Sequence, residues 1–291
     1  MTSAGNEQPV VAGVDGSESA LGAVRWAAAV AAGRGLPLTL LHVIPRLEWH
    51  FAGGEVTEDA GGGGDAVLAA AETAARAAHP DLVIGTEVSK GSVATILAEA
   101  SESARLLVVG AGAPDHPTLG GHVIRITHQA RCPVVVWRPP VARRTGKPLP
   151  VVVGVDESEE SARALAAAFD TARTLGAPLT VVHMWEITAA VGMGDLGGQG
   201  NMDWQLLDVL QSRQRQQMEE MVEPLARQYP KAHVTEVFRD ISPTKGLVEL
   251  SGDAQLVVVG SHGRGRLAAS LLGSVSQNVI HHAECPVLVV R

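Results

Sequence analysis

The stretch PVVAGVDGSESALGAVRWAAAVAAGRGLPLTLLHV at residues 9–43 recurs as PVVVGVDESEESARALAAAFDTARTLGAPLTVVHM at residues 150–184, without a gap and at a constant offset of 141 residues. Farther along, TEV at 86–88 returns at 235–237, RLLVVG at 105–110 returns as QLVVVG at 255–260, and ARCPVVVWR at 130–138 returns as AECPVLVVR at 283–291. A unit of roughly 145 residues is too long for a solenoid repeat and matches a whole domain. The chain therefore reads as one domain duplicated, residues 1–145 and 146–291. The join is RPPVARRTGKPLP at 138–150, whose prolines, glycine and charges mark a linker.

Each copy carries short β-branched runs: Val10–Val14, Leu38–Leu41, Leu106–Val109 and Val134–Trp137, then Val151–Val155, Leu179–Val182, Leu256–Val259 and Val287–Val290. Runs apolar on both faces belong to strands buried in a parallel sheet. A further strand is expected near residues 82–88 and 232–238. Between them lie helical stretches such as residues 20–32, where Leu21, Val24, Ala28 and Ala31 share a face. Strand and helix alternate about five times per copy, which predicts an α/β fold of two tandem doubly wound domains, each a mainly parallel five-stranded sheet with helices on both faces. Ligands of such sheets sit at the carboxyl ends of the strands, where the strand order reverses. Two glycine-rich stretches, FAGGEVTEDAGGGGD at 51–65 and AAVGMGDLGGQGNMD at 189–203, read as flexible connections to the next helix, or as lids over a site.

Composition narrows the function. With 23 Lys and Arg against 31 Asp and Glu, the net charge is −8, which disfavours nonspecific attraction to nucleic acid or an anionic membrane. No run of apolar residues is long enough to span a bilayer, and no basic segment followed by an apolar one opens the chain, so the expected location is the cytoplasm. Aromatic residues are only 3% of the chain, so the cores must be built from Val, Leu, Ile and Ala. The two cysteines, Cys132 and Cys285, each precede a proline at the start of a strand and read as small buried thiols rather than a disulfide.

The chemistry concentrates in GSHGRGRLAASLLGSVS, residues 260–276, directly after the strand ending at Val259. Gly260 ends that strand, Gly263 permits a tight turn with its N–H exposed, and Gly273-Ser274 opens the final helix. Backbone N–H groups and a helix N-terminus aimed at one point form an anion site, to which Arg264 and Arg266 can add charge. At these residues the sequence resembles the universal stress protein family, in its ATP-binding, tandem-domain form. The family signature is glycine, two residues, glycine, nine residues, glycine, then Ser or Thr; Gly260, Gly263, Gly273 and Ser274 match it throughout. The resemblance implies that Asp156 lies near the adenosine, that the Met184 backbone meets the adenine, and that Gly260, Gly263, Gly273, Ser274 and Val275 form the phosphate and ribose loop. Arg264 and Arg266 are added on charge alone.

Simpler roles remain open for several of these residues. Asp156-x-x-Glu159, like Asp15-x-x-Glu18, fits a helix cap, and the two roles can coexist. Ser274 also fits an N-cap, and His42 and His183 read as scaffold histidines. The His281, His282, Glu284 and Cys285 group has metal-ligand types at a spacing that does not share a helix face, so no metal site is assigned. There is no G-x-x-x-x-G-K-[ST], no G-x-S-x-G and no H-E-x-x-H, and no nucleophile paired with a base can be nominated.

The resulting expectation is a cytoplasmic stress-response regulatory protein that binds ATP, with or without Mg²⁺, and whose nucleotide occupancy modulates conformation or partner binding. A slow ATP hydrolase or phosphotransferase, with Asp156 as the one candidate to handle a metal, and a nucleotide-free interaction scaffold are the alternatives. The two halves are expected to pack as an intramolecular pseudo-dimer through their last strands, and the whole chain to be a candidate homodimer. The halves differ at the loop. After Gly110 the first copy reads AGAPDHPTLGGHV, with Ala113 at the second glycine position, Pro114 removing an N–H beside it, Gly121 opposite Ser274, and three residues fewer between the first and third glycines. Titration calorimetry should give close to one ATP per chain, bound in the second half; two sites of similar affinity would overturn this inequality.

Overall fold

In the computed structural model, residues 8–51, 54–59, 63–112, 121–139, 148–185, 204–263 and 272–291 are described. The first half runs β1 (Val10–Val14), α1 (Glu18–Arg34), β2 (Leu38–Ile44), β3 (Arg46–Phe51), β4 (Gly54–Asp59), α2 (Gly64–Arg76), β5 (Ile84–Lys90), α3 (Val93–Ala100), β6 (Leu106–Gly110), α4 (Gly121–Gln129) and β7 (Val134–Trp137). The second runs β8 (Val151–Val155), α5 (Glu159–Leu175), β9 (Leu179–Met184), α6 (Trp204–Gln228), β10 (Val234–Arg239), α7 (Pro243–Ser251), β11 (Leu256–Gly260), α8 (Ser274–His282) and β12 (Val287–Val290).

Ten strands form one sheet in the order β10-β9-β8-β11-β12-β7-β6-β1-β2-β5. Within this sheet all pairings inside each half are parallel; the halves join through β12 and β7, which pair antiparallel with Val287 opposite Val136, Leu288 opposite Val135 and Val289 opposite Val134. Alternate residues of each strand feed opposite faces. Val151, Val153 and Val155 pack under α5 and α6, together with Val10, Ala12 and Val14 under α1 and α2. Val11 and Val152 face the layer of α3, α4, α7 and α8.

The local signals are physical ones. Ser17 and Ser158 are the N-caps of α1 and α5, their hydroxyls accepting from the N–H groups of Ala20 and Ser161 at 3.1 Å. The Asp-x-x-Glu capping reading is therefore corrected: Asp15 and Asp156 stand two residues before the caps and accept the N–H groups of Ser17 and Ser158, at 2.9 and 3.0 Å. Both helices end at a glycine in the left-handed region, Gly35 at φ 67° and Gly176 at φ 61°. Part of the first glycine-rich stretch belongs to a hairpin, β3 paired antiparallel with β4, where a loop was expected. The second stretch, 189–203, lies outside the described residues. The third strand of each half begins two residues later than its apolar run suggested, because Leu82 and Ala232 pack against the core from the approach to the strand rather than from the strand itself.

The seam between the halves is reinforced by two arginines at equivalent places in the repeat. Arg138 donates to the carbonyls of Ile280 and Ala283 at the C-terminal end of α8, and Arg291 donates to those of Thr127 and His128 at the end of α4. Arg138 is thus a structural residue, and the linker begins after it. Burial holds both guanidinium groups below their ordinary pKa. On the other face, Arg34 of α1 pairs with Asp170 of α5 at 3.0 Å and donates to Thr171 at 3.1 Å. Cys132 and Cys285 are buried beside the seam, and burial pushes their thiols up to about 11 and about 12.

Replacing Arg138 or Arg291 by Ala leaves helix-end carbonyls buried without donors, which should cost about 1–3 kcal/mol each. Lysine should restore little, since one ammonium does not reproduce the planar fork. Urea unfolding of each variant reads this, and midpoints equal to wild type would remove the arginines from the account of the seam.

Candidate functional site

The strand order reverses between β8 and β11: from β8 the chain turns outward to β9, and from β11 it turns the other way to β12. The loops leaving two such strands diverge, and a crevice opens at their carboxyl ends. A cavity of about 500 Å³ occupies that position. Asp156, Met184, Gly260, Gly263, Gly273, Ser274 and Val275, all expected from sequence, line it. Arg264 and Arg266 lie outside the described residues.

At Gly260 and Gly263 a neighbour occupies the space a side chain would take, while Gly273 leaves ordinary contact distance. A Cβ on Gly260 would lie 3.0 Å from the Cβ of Glu160, in the first turn of α5. On Gly263 it would lie 2.7 Å from Oδ2 of Asp156, and on Gly273 3.4 Å from the Cα of His262. The loop is then tied shut from behind. The N–H of Gly273 donates to the carbonyl of Ser261 at 2.8 Å, and the Ser276 hydroxyl donates to that of Gly260 at 2.6 Å. Gly273, not Ser274, is the N-cap of α8, and it brings no side chain to the cap. The first N–H groups of that helix therefore have no acceptor within the helix, and they stand at its positive end.

Asp156 is held from three directions. Its Oδ1 accepts from the N–H and the hydroxyl of Ser158, its own N–H donates to Ser161 Oγ at 3.1 Å, and that hydroxyl donates back to its carbonyl. Behind it, His183 Nδ1 donates to the carbonyl of Val155 at 3.0 Å and the ring stacks on Phe238 at 5.4 Å. His42 makes the matching bond to Val14 at 2.7 Å. Both histidines brace adjacent strand ends.

The cavity has two chemical ends. Val155, Val182, Met184, Pro243 and Leu247 supply an apolar end, while Asp156, the glycine loop and the α8 N-terminus supply a polar one. Pro243 and Leu247 were not anticipated. Their signal was Ser-Pro at a helix start with leucine four residues on, which places both on one helical face. Ser276, which also lines the cavity, was missed because the glycine spacing gives no sign that its hydroxyl ties the loop to Gly260.

In the first half, Asp15, Val43 and Gly110 keep their places, and residues 113–120 of the loop lie outside the described residues. Among the described residues no group of three or more His, Cys, Asp or Glu is placed to hold a metal ion. No described helix is long and apolar enough to cross a membrane.

Comparison with known proteins agrees with this architecture over nearly the whole chain. A sequence model of the universal stress protein family matches residues 7–138 and again 149–291. A universal stress protein of Mycolicibacterium smegmatis is 35% identical over 308 residues, covering 100% of this chain and 99% of that protein. One from Mycobacterium tuberculosis is 34% identical over 295 residues, covering 97% and 96%. The crystal structure of a universal stress protein from Archaeoglobus fulgidus shares the fold with a TM-score of 0.59 at 19% identity, covering 98% of this chain and 97% of that one. With two full matches to one family and relatives aligned end to end, the chain belongs to the universal stress protein family and carries two of its domains in tandem.

Proposed function

We propose that this chain is an ATP-binding regulatory member of the family, acting in the cytoplasm, in which nucleotide occupancy of the second half biases the packing of the halves or the binding of a partner. The observation that carries the reading is the convergence of Asp156, Met184, Gly260, Gly263, Gly273, Ser274 and Val275 on one two-ended cavity at the strand-order reversal. A volume of about 500 Å³ suits a nucleotide. The uncapped N-terminus of α8 and the glycine backbone would hold phosphate, Asp156 the ribose side, and the apolar end the base. Where Mg²⁺ accompanies the nucleotide, Asp156 is the residue to meet it. A route from site to seam supports the regulatory part: α8 opens at the cavity, and its far end carries the carbonyls held by Arg138 of the first half.

Denaturing the purified protein and analysing the supernatant should release ATP. Recovered ADP would favour turnover, and no nucleotide together with no calorimetric ATP binding would favour the scaffold alternative.

Gly263→Glu should abolish ATP binding, because its side chain starts 2.7 Å from the Asp156 carboxylate and brings negative charge into the proposed phosphate space. Asp156→Ala should weaken binding less. Calorimetric affinity of Gly263→Glu equal to wild type would sink the assignment of the site.

A further inference from the structure

The floor of the apolar end is built differently from its counterpart in the first half, and the difference is a relocation of one side chain. From the N-caps Ser92 and Ser242 to the strands beginning at Leu106 and Leu256, the halves align at an offset of 150 residues. In that register Gly91 and Ile96 stand opposite Ile241 and Gly246, and at the 141-residue offset of the opening strands Val43 of β2 stands opposite Met184 of β9. The first half brings its isoleucine from the helix: Ile96 on α3 packs over Gly91, its Cδ1 and Cγ1 both 3.7 Å from where a Cβ on Gly91 would be. The second half brings it from the loop ahead of α7. Ile241 leans toward the vacated helix position, its Cγ2 2.9 Å from the place of a Cβ on Gly246.

The vacated position is a notch, and Met184 fills it. A Cβ on Gly246 would lie 2.5 Å from Sδ and 2.7 Å from Cε of Met184, well inside contact distance. Met184 is 8% exposed and lines the cavity, so its side chain lies between the notch on one side and the cavity on the other. Ile241 bounds the notch on the loop side, and a thioether displaced toward the cavity would shorten it. The absence of a side chain at position 246 thus gives the longer floor residue room outside the cavity.

We propose that Gly246 is the specificity-determining residue of this site: by admitting Met184 into α7 it keeps the apolar end deep enough for the two fused rings of a purine, and it selects purine over pyrimidine nucleotides. The inference rests on the nucleotide reading given above. Filling the notch removes depth by about one methyl group, a change that hydrophobic pockets register as tenfold or more in affinity. It costs the smaller ring less.

The test is calorimetric affinity for ATP, and for CTP by competition against it, in wild type, Gly246→Ala and Gly246→Ala/Met184→Val, with a crystal structure of the single variant. Gly246→Ala should lower ATP affinity by about tenfold or more while changing CTP affinity by less than about threefold, so that the ATP-to-CTP preference falls. Met184→Val, the residue type of the first half, should recover most of the lost ATP affinity when added to Gly246→Ala, as expected of two residues in contact. Gly246→Ala should still melt in a single cooperative transition, lowered only by the cost of moving the Met184 thioether and the Ile241 methyl aside, and this separates loss of pocket depth from loss of structure. Wild type binding ATP with a preference unchanged in Gly246→Ala overturns the selection alone, as does a crystal structure with Met184 displaced away from the cavity. Wild type binding neither nucleotide overturns the reading of the site and the selection with it.

Discussion

The antiparallel pairing of β7 with β12 is the constraint on which the rest of the molecule depends. Each half ends its sheet on a short, almost wholly buried strand of valines, Val134–Trp137 and Val287–Val290, and neither has a helix beyond it to cover the edge. An exposed apolar edge of that kind would recruit other chains. Pairing the two edges satisfies both ladders at once and turns two five-stranded sheets into one of ten. Because the pairing is antiparallel, the end of each half's last strand meets the last helix of the other, which is why Arg138 and Arg291, one residue past their strands, reach the carbonyls closing α8 and α4.

The two halves share the order of their five sheet strands, and particular side chains differ between them where space is tight. Gly22 on α1 makes room for the indole of Trp137, whose ring atoms lie as little as 2.0 Å from where a Cβ on Gly22 would be. In the second half the same two places hold Arg163, exposed and paired with Glu160 at 3.0 Å, and the smaller Val290. Gly91 with Ile96, and Gly246 with Ile241, are likewise a glycine facing an isoleucine, and in a close-packed interior adding volume to the glycine forces its neighbour to move.

These exchanges also mark where sequence reasoning succeeds and where it stops. The strands, the doubly wound alternation and the position of the crevice were legible because they follow from short apolar runs and a repeat, and Val10–Val14, Val134–Trp137, Val151–Val155 and Val287–Val290 occupy the spans their valines indicated. The glycine loop was legible because backbone approach demands glycine at fixed spacing. What was not legible depends on partners distant in sequence. Nothing around Arg138 announces that its acceptors are Ile280 and Ala283, and in a run of prolines and charges it resembles linker. Capping stayed open for Asp156 because Asp and Ser both serve that role, and only the geometry shows Ser158 capping while Asp156 braces it. Pro243 and Leu247 belong to a helix whose pattern explains its burial and gives no sign of which strand end it faces.

The placement of α8 joins these strands of argument. A nine-residue helix is about two and a half turns long, short enough to behave as a rigid rod between its ends. Its first turn, uncapped at Gly273, faces the cavity; its last carbonyls are held by a cation from the other half. Anything that draws the first turn toward the crevice must either carry the last turn with it or stretch those bonds. Both act on the seam, through β12, which leaves α8 after four residues and pairs with β7 at once. The first half repeats the arrangement with α4 and Arg291. A loop that departs from the glycine pattern, as after Gly110, therefore still leaves that half in mechanical contact with its neighbour through the same helix-end bonds.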